Sequence, residues 1–349
     1  MPNDEFFPQR PDSRPMVYAY AENSPAYQGL LKVGYTERSV EARVAQQYPT
    51  RRPDGLVPYT IVLKESAMRD DGTCFTDHDL HRALSRHRVE RVGGEWFRCS
   101  VEDVKAAIIA VKTGTANPEH RTLSFAMRPE QKEAVDKTIE YFASARREDP
   151  NRPPKFLWNA KMRFGKTFAA YQLARRMGMK KVLVLTFKPA VEDAWEQDLR
   201  NHVDFEGWQF ICRGGLTYDE ADLSRPIVCF GSFQDYLGTN EAGGIKAKNE
   251  WVHTTNWDIV IFDEYHFGAW RDKPRALFQQ PGEDEDYDFD MEAYQKSEAG
   301  NAYNESFLPI TTSHYLFLSG TPFRALNSGE FIEDQIYNWT YSDEQRAKQ

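Results

Sequence analysis

From Lys155 onward, short apolar runs alternate with segments of helical spacing, and this alternation limits the possible folds more than any other feature. The helical segments are "TFAAYQLARRMG" and "PAVEDAWEQDLRNH", and the second begins with a proline, which helix starts favour. The strand candidates are "KFLWN", "KVLVLTF", "PIVCFGS", "WDIVIFDE" and "HYLFLSGTP". Runs that are apolar throughout indicate strands buried on both faces. The sequence therefore predicts an α/β domain with a parallel sheet, whose ligands bind at the carboxyl ends of the strands.

The length of 349 residues leaves room for two domains or for three small ones. We predict a flexible polar tail at 1–15, a small domain at 16–115 and the parallel-sheet domain at 116–349. No apolar run is long enough to cross a membrane, and the four scattered cysteines favour reduced thiols in a cytoplasmic protein. The net charge of −9 argues only mildly against nucleic-acid binding, because an acidic stretch at 281–298 carries much of it.

Two polar stretches that are rich in proline, glycine and charge look like linkers. The first, at 112–123, is expected to separate the domains. The second, at 146–154, is expected to join a helix at 129–144 to the first strand of the parallel sheet.

The stretch "NAKMRFGKTFAA" places Gly165-Lys166-Thr167 between a predicted strand and a predicted helix. In that position, backbone N–H groups and the helix N-terminus can bind phosphates, Lys166 can reach the β- and γ-phosphates, and the Thr167 hydroxyl can hold Mg²⁺. ATP and Mg²⁺ are thus the predicted cofactors. The predicted nucleotide-binding loop consists of Ala160, Lys161, Met162, Arg163, Phe164, Gly165, Lys166 and Thr167.

A pair of acidic residues further along the chain supports the prediction of a nucleotide-binding loop. The apolar run "DIVIFDEYHF" delivers Asp263 and Glu264 at the end of a predicted strand. Asp263 would bind Mg²⁺ through water, and Glu264 would orient and deprotonate the attacking water. The alternative is that both are solvated acids at a strand end.

The segments "MRFGKT", "DEYH" and "SGTP" together resemble the superfamily 2 helicases and translocases of the DEAD/DEAH type. The resemblance covers about Leu123 to Gln349 and implies a RecA-like P-loop domain. In that superfamily the loop commonly begins with alanine, as at Ala160. Phe164 is a departure from the pattern, because many relatives carry glycine there, and it leaves the nucleotide affinity of the loop open. The resemblance also implies that Gln131 pairs with the adenine edge and that Phe125 packs nearby. Lys188 would contact the nucleic-acid backbone, and Ser319 and Thr321 would couple the nucleotide to the strand path.

Helicases of this superfamily use a second RecA-like domain that carries an arginine finger. No such domain follows the "SGTP" segment here, so we expect the chain to be a fragment whose second motor domain lies elsewhere, and expect it to bind ATP weakly on its own. Arg163 lies inside the loop and approaches from the wrong side to substitute for that arginine.

The first third contains "MVYAYAE", "LLKVGYTERSVEARVAQQ" and "TDHDLHRALSRHRVERVGGEWFRC", which together resemble the small α+β GIY-YIG nuclease domain. The resemblance implies that Tyr18 lies close to the attacking water, that Arg43 stabilises phosphate charge, and that either Asp77 or Glu95 binds one Mg²⁺. Lys32 stands where the second tyrosine is expected, with Tyr35 as a possible substitute. His78 and His81, one helical turn apart, are either a metal pair or, more commonly for such pairs, ordinary histidines.

These features favour an ATP-dependent DNA helicase or translocase of a restriction-type helicase–nuclease, with Mg²⁺-dependent cleavage by the N-terminal domain. DNA is the expected partner, together with a possible methyltransferase subunit. One alternative is a motor whose N-terminal domain binds DNA without cutting it. A further alternative is an RNA helicase, although "DEYH" is not the "DEAD" spelling common among RNA unwinders.

Overall fold

The computed structural model describes residues 15–50, 55–186, 189–237, 249–263, 310–320 and 331–347. These residues form two compact units. The first comprises Met1–Phe125 together with Asn201–Asp204, and the second comprises Ala126–Arg200 and Phe205–Gln349. Several sequence-based predictions lie outside the described residues, namely the tail, the acidic stretch at 281–298, Lys188, Glu264 and Thr321.

The first unit contains a five-stranded antiparallel sheet in the order β3-β1-β2-β5-β4. Its strands are β1 (Met16–Glu22), β2 (Leu30–Thr36), β3 (Tyr59–Ser66), β4 (Glu90–Gly93) and β5 (Trp96–Arg98). Its helices are α1 (Val40–Gln46), α2 (Asp77–Arg86) and α3 (Val101–Thr113). Successive residues of β1 point to opposite faces, so that Val17 and Ala19 join one apolar cluster while Tyr18 and Tyr20 join another.

The start and end of α3 follow from its sequence. The Ser100 hydroxyl accepts a hydrogen bond from the Asp103 N–H, and the Asp103 carboxylate accepts one from the Ser100 N–H, which forms a capping box. Gly114 ends the helix in the left-handed conformation, with φ of 68°. Asp103 is held by these caps and by His120, and its pKa is lowered although burial opposes the shift.

The stretch at 112–123, predicted as a linker, is more ordered than a solvated linker. The Asn117 side chain is buried, donates to the carbonyls of Ala106 and Arg121, and accepts from the Arg121 N–H. The Arg121 guanidinium is also buried and donates to the His202 carbonyl and to Glu119. Polar composition suggested exposure here, but these polar groups bond one another inside the unit.

The second unit contains a seven-stranded parallel sheet in the order β14-β6-β13-β11-β7-β9-β8. Its strands are β6 (Lys155–Ala160), β7 (Lys181–Thr186), β8 (Gln209–Ile211), β9 (Ile227–Ser232), β11 (Ile259–Asp263), β13 (Tyr315–Ser319) and β14 (Ile336–Trp339). A short parallel pair is formed by β10 (Asn256–Trp257) and β12 (Thr311–Thr312). The helices are α4 (Pro129–Glu148), α5 (Lys166–Arg176), α6 (Glu192–Asn201), α7 (Phe233–Leu237), α8 (Glu250–Thr254) and α9 (Tyr341–Ala347).

Both faces of this parallel sheet are apolar. Val182 and Val184 of β7 belong to the cluster on one face, whereas Leu183 and Leu185 belong to the cluster on the other. The prediction of an α/β fold with a parallel sheet covered on both sides is therefore confirmed. The sequence did not predict β8 or β14, because each is short and lies at a sheet edge.

Helix α4 continues to Glu148, beyond the end predicted near residue 144, so the second predicted linker is partly helical. Arg146 and Arg147 lie in its last turn, where positive charge favours the helix dipole. Arg146 also donates to the carbonyls of Pro150 and Ser313. The charged composition of 146–154 predicted a linker from its first residue. The structure instead continues the helix through the first three of these residues.

Among the described residues, no helix is both long enough and apolar enough to cross a bilayer. Cys74, Cys99, Cys212 and Cys229 are all described, and each is a free thiol.

Candidate active sites

The predicted phosphate loop connects β6 to α5, as its sequence requires. Gly165 stands at the N-cap of α5 in the left-handed conformation, with φ of 76° and ψ of 45°. The Lys166 ammonium donates a hydrogen bond of 2.9 Å to the carbonyl of Ala160, so its charge is held over the loop. Thr167 follows in the first turn of α5 and is half-buried. This arrangement places N–H groups of a helix start and one cation at the carboxyl edge of the sheet, a setting suited to phosphate.

Phe164 has a packing role that the sequence did not predict. Its side chain is buried, and its ring lies 6.2 Å from the ring of Tyr337 on β14. Within the loop, Arg163 shares the left-handed backbone conformation of Gly165, with φ of 67°. The position that would favour glycine is therefore Arg163 and not Phe164. The effect of Phe164 on nucleotide affinity stays open.

Gln131 and Arg128 hold the loop from the start of α4. The Gln131 amide, only 4% exposed, donates to the Phe164 carbonyl at 2.8 Å and accepts from the Arg128 N–H at 2.9 Å. The Arg128 guanidinium donates to the carbonyls of Arg163, at 3.1 Å, and of Phe164. A side chain at Gly165 would place its Cβ 2.5 Å from the Gln131 amide nitrogen, so glycine is required for close approach as well as for φ. The adenine contact expected of Gln131 stays a prediction.

The first residues of the loop are tied to the sheet edge. The Lys161 N–H donates to the carbonyl of Trp339 at the end of β14, and the Lys161 ammonium forms an ion pair with Glu344 of α9. Met162, by contrast, is 82% exposed. The edge strand β14 thus anchors the loop, and because β14 was missed in the sequence, so were these contacts.

Asp263 lies at the carboxyl end of β11, and its side chain is 7% exposed. Its Oδ2 accepts a hydrogen bond of 2.7 Å from the indole N–H of Trp195 on α6. The carbonyl of Trp195 in turn accepts a hydrogen bond of 2.9 Å from the hydroxyl of Tyr171 on α5. Burial, with nearby carboxylates, raises the pKa of Tyr171 well above its usual value, so this hydroxyl remains a donor. Trp195 was not identified from the sequence.

The loop and Asp263 share one edge of the sheet. Strand β13 separates β6 from β11, so the two strand ends lie about 10 Å apart at the usual strand spacing. Ser319 is buried at the end of β13, between the ends of β6 and β11, and it pairs with Asn159 of β6 in the strand register. This edge of the sheet fits a nucleotide with Mg²⁺. The N–H groups and the lysine suit the phosphates, and the threonine hydroxyl and the carboxylate suit the metal. Phe125 belongs to the first unit, where its ring lies 4.8 Å from that of His202, and its predicted role stays a prediction.

A second polar cluster lies in the first unit around Tyr18. Arg43 of α1 and Glu95 lie close enough to the Tyr18 hydroxyl for their charges to act on its pKa, which Arg43 lowers and Glu95 raises. Burial raises the pKa of Tyr18, although Arg43 and Gln47 oppose the shift, so Tyr18 keeps its proton at neutral pH. The structure therefore brings together Tyr18, Arg43 and Glu95, three of the residues singled out in the sequence.

Gln47 joins this cluster to Lys32 and was not identified from the sequence. Its Oε1 accepts from the Lys32 ammonium at 2.6 Å and from the Tyr20 hydroxyl at 2.7 Å, while its Nε2 donates to the Tyr18 oxygen at 3.2 Å. Lys32 also lies 3.5 Å from a carboxylate oxygen of Glu95. Lys32 stands where the second tyrosine was expected, and it contributes a positive charge at this place.

Gly34 makes room for the Tyr18 ring. The two residues face each other across the antiparallel pair of β1 and β2. A Cβ at Gly34 would lie 2.6 Å from the Tyr18 hydroxyl oxygen and 2.7 Å from the adjoining ring carbon. Gly34 is thus required by the close approach of the Tyr18 ring.

Asp77 and His81 lie on α2, apart from the polar cluster around Tyr18. Asp77 is in the first turn of α2. Burial is the main cause that raises the pKa of the nearby Tyr35, followed by Glu37, and the charge of Asp77 adds a smaller effect. His81 is buried against Phe97 and bonds through Nε2 to the Val33 carbonyl, whereas His78 is exposed. Among the described residues, no group of three or more His, Cys, Asp or Glu side chains is placed to hold a metal. The predicted metal roles of Asp77 and Glu95 stay predictions.

Comparison with known proteins gives a family for the larger part of the chain. Residues 124–322 match the family described as "Type III restriction enzyme, res subunit". The chain belongs to this family. Residues 16–112 match the T5orf172 domain, while the finer GIY-YIG assignment stays a prediction.

Two individual proteins are similar to the chain. A Mycoplasma pneumoniae protein, described as the C-terminus of a proposed type II restriction enzyme and methyltransferase, is 32% identical over 236 residues, which cover 63% of this chain. The match spans only 32% of that relative's length. A Sulfolobus solfataricus SWI2/SNF2 ATPase core in complex with double-stranded DNA matches 61% of this chain and 36% of its own, with 14% identity and a TM-score of 0.35. A likeness this distant supports no inference about this chain.

The left-handed backbone of Arg163 leads to a stability prediction. A non-glycine residue in this conformation costs about 1–2 kcal/mol, so Arg163→Gly should raise the melting temperature by several degrees, about 2–4 °C for each kcal/mol. Thermal unfolding followed by circular dichroism measures this. Met162→Gly is the matched control, because Met162 is exposed in the same loop without a positive φ, and it should lower the melting temperature slightly. Equal effects of the two substitutions would contradict a strained Arg163.

Asp198 on α6 leads to a pH prediction. Burial raises its pKa to about 6, and among the described residues its carboxylate has no hydrogen-bond partner. A raised pKa favours the folded state below the unfolded value near 4, and this contribution is lost as the pH rises through about 6. Asp198→Asn should therefore stabilise the protein at about pH 8 and have little effect at about pH 4, as measured by urea unfolding. Asp193→Asn, on the exposed side of the same helix, should show no such difference. A pH-independent effect of Asp198→Asn would exclude the buried charge as its cause.

Proposed function

We propose that the second unit is a Mg²⁺- and ATP-dependent motor domain that acts on DNA as part of a restriction-type enzyme. The observation that carries this proposal is the placement of Lys166 and Asp263 at one carboxyl edge of a parallel sheet, with the start of α5 beside them. Family membership supports the proposal, because the family that residues 124–322 match is described as a restriction enzyme subunit.

Each residue of the site has a defined part in the proposed reaction. Lys166 and the N–H groups of the loop would bind and orient the phosphates. Thr167 and Asp263 would hold Mg²⁺, which would supply positive charge against the phosphates. Glu264 orients the attacking water and accepts its proton. Gln131 and Arg128 fix the loop carbonyls, so that the loop N–H groups keep their direction.

Further parts of the proposal concern partners. In the superfamily that the sequence resembles, a second RecA-like domain closes on the nucleotide and supplies an arginine, and we include such a domain as a partner. A methyltransferase is also included, because the Mycoplasma relative is described as a restriction enzyme and methyltransferase. The free thiols fit a cytoplasmic location.

We further propose that the first unit cleaves DNA through Tyr18 and Arg43. The observation in favour is the hydrogen-bonded cluster that holds the Tyr18 hydroxyl beside a guanidinium and an ammonium, a setting that can stabilise charge on a phosphate. The same cluster could instead bind the DNA backbone without cutting, and nicking assays decide between the two.

Binding measurements test the choice of nucleic acid. Fluorescence anisotropy with a labelled duplex DNA and with an RNA duplex of the same sequence should show tighter binding of the DNA. Binding should weaken as salt rises, since phosphate contacts release counterions. Tighter binding of the RNA duplex would favour the RNA helicase alternative and contradict the proposed substrate.

A further inference from the structure

Trp195 connects the two halves of the proposed nucleotide site. Its side chain is completely buried, and its indole N–H donates to Asp263 Oδ2 at 2.7 Å. Its carbonyl accepts from the Tyr171 hydroxyl at 2.9 Å, and the Tyr171 ring lies perpendicular to the indole with centroids 5.2 Å apart. A single residue of α6 therefore contacts both the helix that begins at the phosphate loop and the acid at the end of β11.

The position of Tyr171 strengthens this connection. Tyr171 lies four residues after Thr167 on α5, about one helical turn along the same helix. Tyr171 is fully buried, so the helix, the indole and the β11 carboxylate form one packed layer. A shift of α5 on phosphate binding would reach Asp263 through Trp195, because packed side chains in such a core move together.

We propose that Trp195 is a positioning residue that fixes the Asp263 carboxylate for Mg²⁺ in the nucleotide complex. The proposal rests on the proposed function, since it assigns Asp263 to the metal. A buried carboxylate that loses an N–H donor bears a desolvation cost and gains rotational freedom, and both changes weaken its ordered interaction with a metal.

The same unit offers a matched control. Trp158 on β6 is also completely buried, belongs to the same apolar cluster, and donates its indole N–H at 2.8 Å to a side-chain oxygen, that of Thr138. Trp195→Phe and Trp158→Phe therefore remove the same chemical group from the same core. They differ in whether the lost hydrogen bond reaches Asp263.

Isothermal titration calorimetry of ATP, with and without Mg²⁺, tests the proposal on the full chain. In EDTA, Trp195→Phe should bind ATP within about twofold of wild type, because the loop is unchanged. With ATP saturating, its apparent affinity for Mg²⁺ should fall about 10-fold, the lower end of the usual effect of losing a partner of a metal ligand, because Asp263 reaches the metal through water. Trp158→Phe should keep the wild-type Mg²⁺ dependence.

Unchanged Mg²⁺ dependence in Trp195→Phe, or an equal loss in Trp158→Phe, would overturn the positioning role. Failure of the wild type to bind ATP with Mg²⁺ would instead overturn the proposed function. If Trp195→Phe does not fold, a measurement on the wild type replaces the variant. It follows the ¹⁵N indole signal of Trp195, which is assigned by its proximity to the Tyr171 ring. That signal should shift when Mg²⁺ is added to the ATP complex while the Trp158 signal does not, and an unmoved Trp195 signal would overturn the proposal.

Discussion

Replacing Lys166 with alanine should reduce ATP affinity at least about 100-fold, because the phosphates lose a charge-assisted hydrogen-bond partner. The ammonium lies over the loop, bonded to the Ala160 carbonyl, and is positioned to move onto a phosphate. Calorimetric titration of ATP in the presence of Mg²⁺ measures the effect. Glu264→Gln should behave differently. It should retain ATP binding and block hydrolysis in the complete enzyme, since it removes only the group that activates water.

Lys180→Ala is the matched control for Lys166→Ala. Lys180 is exposed and immediately precedes β7, so it lies at the amino end of the parallel sheet, opposite the loop. Loss of this charge should leave ATP affinity unchanged. If Lys166→Ala binds ATP as well as the wild type does, the assignment of the phosphate loop is wrong.

The second large effect concerns the first unit. If this unit cleaves DNA, Arg43→Ala and Tyr18→Phe should each reduce Mg²⁺-dependent nicking of plasmid DNA by about 10–1,000-fold, because oriented charge at the reacting phosphate is worth several kcal/mol. Tyr18→Phe keeps the ring that packs against Gly34 and removes only the hydroxyl that Gln47 contacts. Conversion of supercoiled plasmid to the nicked form measures the rate.

Arg38→Ala controls for loss of positive charge, since Arg38 is exposed just before α1. It should nick at close to the wild-type rate. Nicking that survives in both Arg43→Ala and Tyr18→Phe would exclude these residues from the reaction. Absence of nicking by the wild type on varied duplexes, with Mg²⁺ or Mn²⁺, would favour a unit that binds DNA without cutting it.

The sequence predicted the parallel sheet and the edge on which both Lys166 and Asp263 lie, because buried strands and a loop between strand and helix leave strong local patterns. It did not predict β14, whose four residues carry little periodicity and pair only at an edge. The contacts of Lys161 with Trp339 and Glu344 depend on that strand and on α9, so they too could not be predicted.

Side-chain partnerships were harder to predict than positions. The sequence pointed to Phe164 as the unusual loop residue, yet the structure gives the left-handed backbone to Arg163 and buries Phe164 against Tyr337. Local sequence does not show which residue of an irregular loop takes a positive φ. The bond between Trp195 and Asp263 joins residues 68 positions apart, and only tertiary packing brings them together.

The most direct test of the nucleotide site is a crystal structure with a non-hydrolysable ATP analogue and Mn²⁺ in place of Mg²⁺, whose anomalous signal locates the metal. We expect the phosphates against the N–H groups of the loop from Ala160 to Thr167 and the Lys166 ammonium on the terminal phosphates. The metal should lie within bonding distance of the Thr167 hydroxyl and within reach of Asp263 through one water. A nucleotide bound elsewhere, or a metal remote from both residues, would contradict the account.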